Sequence, residues 1–115
     1  MINLTWVKSA EGKWLSFLRV NLNNVASDGV YIIWHSGSPS KVVYVGQGDI
    51  SNRLMAHRSR KDIVSYSKIG ELFVTWASVP QKDKDGVERY LADKWRPLVG
   101  DAHPNVLPKE VNSPW

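Results

Sequence analysis

The sequence predicts an α+β domain whose elements run strand, strand, helix, strand, helix. Three features predict it. Residues 29–35 and 41–47 are short β-branched and aromatic runs on either side of a Ser/Gly/Pro turn, which is the pattern of a hairpin. Residues 71–79 form a third such run, closed by Pro80. Apolar residues at helical spacing follow the hairpin (Ile50, Leu54, Met55) and the third run (Val87, Tyr90, Leu91, Trp95, Leu98). A chain of 115 residues suits a single domain that buries its own core.

Taken in order, residues 1–28 supply apolar surface from Trp6, Val7, Trp14, Leu15, Phe17, Leu18, Val20 and Leu22. Residues 8–13 read as a turn around Glu11-Gly12. Residues 14–22 fit either an irregular strand or a short helix, and the segment is expected to cover one side of the core. Asn23, Asn24, Ser27 and Asp28 form a polar break. In the hairpin, pairing His35 with Val42 would set Tyr31 opposite Gly46 and Tyr44 opposite Ile33. Directly opposed residues share a face, so both tyrosines would lie together, with open space at Gly46. Asp49 is an N-cap for the first helix, where Arg53 and His57 stand at i and i+4 on one flank and Arg60 continues it. This helix is expected to fade near residues 61–65. The run at 71–79 is apolar on both sides, as a central strand would be. Residues 81–86 read as a charged linker. The second helix should stop near Arg96, ahead of Pro97, placing Glu88, Ala92 and Trp95 on one stripe. Residues 100–115 read as an extended cover, with 106–115 as a tail.

Composition narrows the classes. The chain has no cysteine, so it carries neither a disulfide framework nor a thiolate metal site. No apolar run approaches a membrane span, and the N-terminus lacks a signal-peptide pattern, so the expectation is a soluble cytoplasmic protein with no membrane partner. Net charge is +4 and the pI is about 9.5, which is compatible with a polyanion partner. Six tryptophans can fill the core, and one or two of them can stack on bases.

The ordered set Gly29-Val30-Tyr31, Tyr44-Val45-Gly46, Arg53, His57 and Glu88 resembles the GIY-YIG nuclease domain, with Val standing for Ile in both halves of the signature. The resemblance covers about residues 29–105. It implies a small three-stranded antiparallel sheet flanked by helices, and hydrolysis of phosphodiester bonds, in DNA first, with one divalent ion, Mg²⁺ or Mn²⁺. It also implies a site. Glu88 would bind the metal through a hard carboxylate oxygen, with waters in the other positions. Arg53 would present its fork to a non-bridging phosphate oxygen. Tyr31 would accept the proton of the attacking water, which requires a lowered phenol pKa. Tyr44 and His57 would orient or relay protons. Gly29, Gly46 and Asn105 would support the site, Asn105 being the best match to an Asn that often follows the Glu helix. Gln47 stands where some members carry a Lys, and Lys41 is not clearly a substitute. Lys41, Gln47, Arg58, Arg60 and Lys61 are the candidate nucleic-acid contacts, with Lys68 extending the basic patch.

Each residue also has an ordinary role. Gly29 and Gly46 suit strand ends, the tyrosines suit strands, and Arg53 suits a solvated helix. Asp85-Gly86-Val87-Glu88 has capping-box spacing, which would make Glu88 a cap. His35 and His103 have no motif support. Besides a nuclease, the chain could therefore be a nucleic-acid-binding module without turnover, or a subunit acting as a homodimer or with a partner protein.

Overall fold

The structure, a computed structural model, describes residues 1–100 and 102–115. Strand β2 (Asp28–His35) and strand β3 (Lys41–Asp49) form the predicted hairpin, with Tyr31 opposite Gly46 and Ile33 opposite Tyr44. The end nearest the turn differs. The register shifts between Ile33 and Trp34, so His35 pairs with Lys41 rather than Val42. The extra residue is Val43. Val43 and Tyr44 consequently enter the same apolar cluster, whereas Val42 and Val45 enter the opposite one. A bulge of this kind lets the strand bend without turning Tyr44 away from Tyr31.

The sheet has four antiparallel strands rather than three, in the order β1-β4-β2-β3. Strand β4 (Leu72–Ser78) pairs with β2 along its length, and β1 (Leu15–Ser16) adds to the outer side of β4. The reason is the open edge of β4. Backbone N–H groups of Val7 and Phe17 donate to the Trp76 and Leu72 carbonyls, both at 2.9 Å, so the N-terminal segment satisfies that edge.

Helix α1 (Ile50–His57) starts at Asp49, whose side chain accepts from the Asn52 N–H at 3.2 Å as an N-cap should. It stops earlier than predicted. Residues 58–60 break it, and the chain restarts as a short α2 (Lys61–Val64) and a 3₁₀ turn (Ser65–Lys68). Helix α3 (Lys84–Trp95) starts earlier than predicted, so the linker after Pro80 is short and Glu88 lies in the second turn rather than at a cap. Asp85 does not cap the helix either; it accepts from the Gln47 side-chain amide at 2.7 Å.

The two faces of the sheet carry different helices. Ile50 and Leu54 of α1 pack on Tyr31, Ile33, Tyr44 and Val74. Val87 and Leu91 of α3 pack on Val30, Ile32, Trp34 and Val45. The N-terminal segment serves both faces rather than one: Phe17 and Leu22 join the α1 side, while Ile2, Leu4, Trp6 and Trp14 join the α3 side. The tail returns to it, with Ile2 bridging Val111 and the Asn112 amide donating to the Leu4 carbonyl at 2.9 Å. No helix among the described residues is long and apolar enough to cross a membrane.

Candidate active site

Strand β3 is an edge strand, and α1 and α3 lie on opposite faces beside it. Side chains from both helices therefore meet around its far end. Tyr44, Gly46, Gln47, Arg53, Glu88 and His103 line one cavity of about 350 Å³ there.

Tyr31, on the neighbouring strand, is fully buried and does not itself line the cavity; it lies beside Tyr44 and Gly46, which do. Its ring stacks on Tyr44 with centroids 6.1 Å apart and planes within 12°. Its hydroxyl is 2.6 Å from Nε2 of His57, and His57 also packs on the Tyr44 ring at 4.5 Å. The i, i+4 spacing of Arg53 and His57 brings both to the tyrosine pair. Gly46 makes this possible. A Cβ there would overlap the Tyr31 hydroxyl and come within 2.6 Å of Cζ. Gly29 has a comparable reason, since a Cβ would overlap the Ala77 carbonyl of β4.

The electrostatics run in opposing directions. Burial pushes the Tyr31 phenol well above its ordinary range, and nearby Tyr44 and Glu88 push the same way; interaction with Arg53 pulls it back. The same contact, together with Tyr44, raises the Arg53 guanidinium, which stays charged.

Glu88 is buried on α3 and its Oε2 lies 2.7 Å from Nδ1 of His103. His103 is thus a site residue that no sequence motif marks. The tail brings it back: Leu98 and Val99 donate to the Val42 and Val43 carbonyls at 3.1 and 2.8 Å, and Ala102, His103 and Pro104 line the same cavity as Glu88. No spacing rule announces such a return. Asn105, the residue matched to the family's Asn, is exposed and outside the lining of the cavity.

The basic residues divide. Arg58 donates through Nε to the Phe17 carbonyl at 2.9 Å and through a terminal nitrogen to the Val20 carbonyl at 2.6 Å. It therefore fastens the N-terminal segment. Arg60 pairs with Asp62 at 2.7 Å and lies over the Tyr44 ring at 5.3 Å. Gln47 is held by Asp85. Lys41 and Lys61 are exposed.

Comparison with family models, curated proteins and solved structures returns no match for this chain.

Proposed function

We propose that this chain hydrolyses phosphodiester bonds in DNA with a divalent metal ion, in the manner of the GIY-YIG nucleases it resembles. The observation that supports this reading most directly is convergence: Tyr44, Arg53 and Glu88, from one strand and two helices, share one cavity, with the Tyr31–His57 pair beside them.

In this reading Arg53 grips the scissile phosphate and balances charge that builds on its oxygens. Tyr31 acts as a neutral relay. Its raised pKa disfavours a resting phenolate, so the hydroxyl takes a proton from water as it gives its own to His57. Tyr44 holds the Tyr31 ring in place by stacking.

Among the described residues, no group of three or more His, Asp or Glu side chains gathers to hold a metal ion. One carboxylate is still a suitable donor set for Mg²⁺ or Mn²⁺, which keep several waters and take phosphate oxygens as ligands. Glu88 would hold the ion, and the ion would neutralise charge on the phosphate. His103 occupies that carboxylate otherwise.

The His103 contact also favours a second reading, in which the scaffold binds nucleic acid without cutting it. Incubating closed circular plasmid with the protein and Mg²⁺ or Mn²⁺ separates the two. Nicking that chelator abolishes is the expected result; binding under either metal without any nicking supports the second reading.

A further inference from the structure

We infer that a second cavity, at the opposite end of β3, takes an unpaired nucleobase and its phosphate; this rests on the nucleic-acid reading above and names the substrate class. The cavity has a volume of about 350 Å³ and is walled by Trp34, Trp95 and Trp115, with Lys41 and Arg96 at its rim. A volume of this size is at the small end of ligand cavities. Trp115 packs on Trp34 and Trp95, with centroids 4.6 and 5.2 Å apart, yet is 48% exposed, so part of its surface remains open.

The chemistry of the lining selects the occupant. Aromatic faces stack on any base, and cations beside them take the phosphate. A purely apolar ligand would leave both cations unused. Neither Lys41 nor Arg96 forms an ion pair with an acid among the described residues.

Arg96 carries a second, independent signal. It caps α3 in the left-handed conformation, at φ 46°, and is the sole non-glycine residue with positive φ among those described. Glycine is the usual residue at such a helix end. A strained arginine there keeps a cation at the cavity mouth, and strain of this kind concentrates at ligand sites.

The two cavities are also suitably placed, since both lie along β3 and α3. Glu88 and Trp95 are both on α3, about 10 Å apart along its axis at the ordinary helical rise. An unpaired nucleotide held at the tryptophans would thus lie within a few nucleotides of a phosphate at Arg53, as in a flap or a mismatch beside the cut.

Two variants test this. Trp115→Ala removes a half-exposed stacking face. Arg96→Gly removes the cation while relieving the backbone, so its fold should be at least as stable as the parent's. Fluorescence anisotropy in EDTA is read on a fully paired duplex and on the same duplex with a short unpaired flap, at one fixed salt concentration. The parent should prefer the flap. Trp115→Ala should lose about tenfold in affinity for the flap duplex, within the range for one stacked base, and nothing on the paired one. Arg96→Gly should lose about fivefold on the flap with an unchanged or raised melting midpoint. If the parent binds DNA and both variants keep its full flap preference, the cavity assignment is overturned. If the parent binds neither duplex, the nucleic-acid reading itself falls, and this assignment with it.

Discussion

The Tyr31 hydroxyl lies 2.6 Å from Nε2 of His57, in a position that exists because residue 46 has no side chain. One strand, its neighbour and the first helix are thereby tied at a single atom pair. Tyr31→Phe removes the hydroxyl and leaves the ring stacked on Tyr44. Cleavage should fall by about a hundredfold or more if the phenol moves a proton. Stability should fall by about 1–2 kcal/mol, because a buried ring nitrogen loses this partner. Cleavage rates and urea midpoints on the same preparations check both.

Tyr31 also makes a prediction about alkaline pH. Burial holds its pKa above the ordinary 10.0 in the folded chain. The unfolded chain releases that proton from about pH 10 upward, whereas the folded chain keeps it. The contribution is fully present below pH 10 and is lost as pH rises beyond it, at up to about 1.4 kcal/mol per pH unit. The parent should therefore lose stability more steeply than Tyr31→Phe between about pH 10 and 11.5, measured by urea unfolding. Parallel curves would contradict the buried phenol.

Gly46→Ala places a methyl group into the Tyr31 ring. Overpacking should cost about 1–3 kcal/mol and displace the hydroxyl from His57. Thermal melting and cleavage should both suffer. A strand-end glycine with no neighbour would tolerate the change, so an unchanged melting curve would show that Tyr31 does not need the space at Gly46.

The hairpin centre was legible in the sequence, and its tip was not. Alternation of residues and the Ser/Gly/Pro turn specify that Tyr31 faces Gly46. The bulge at Val43 has no such marker, because a valine suits a strand whether paired or not. Asp49 announced the start of α1 through its capping side chain. The start of α3 at Lys84 was hidden by Asp85-Gly86, which looks like a break; Gly86 is accommodated because Lys109 packs where its Cβ would be. His103 was invisible for a different reason. Its place at Glu88 depends on backbone bonds from Leu98 and Val99 to β3, and those follow from tertiary packing.

Charge alone groups Arg58 with the nucleic-acid contacts, but its guanidinium is spent on two backbone carbonyls. Arg58→Ala should destabilise the fold by about 2–3 kcal/mol, since charge-assisted bonds to otherwise unsatisfied carbonyls are lost. Lys61→Ala, at an exposed position, should leave the melting midpoint unchanged. Differential scanning calorimetry of the pair distinguishes a fastening arginine from a surface charge.

In the proposed reaction the Glu88 carboxylate serves a metal-dependent cut. The most direct measurement is plasmid nicking in Mn²⁺ by the parent and by Glu88→Ala, with circular dichroism confirming that both are folded. The predicted result is nicking by the parent and a loss of at least about a hundredfold in the variant. A folded Glu88→Ala that cuts as fast as the parent would contradict it.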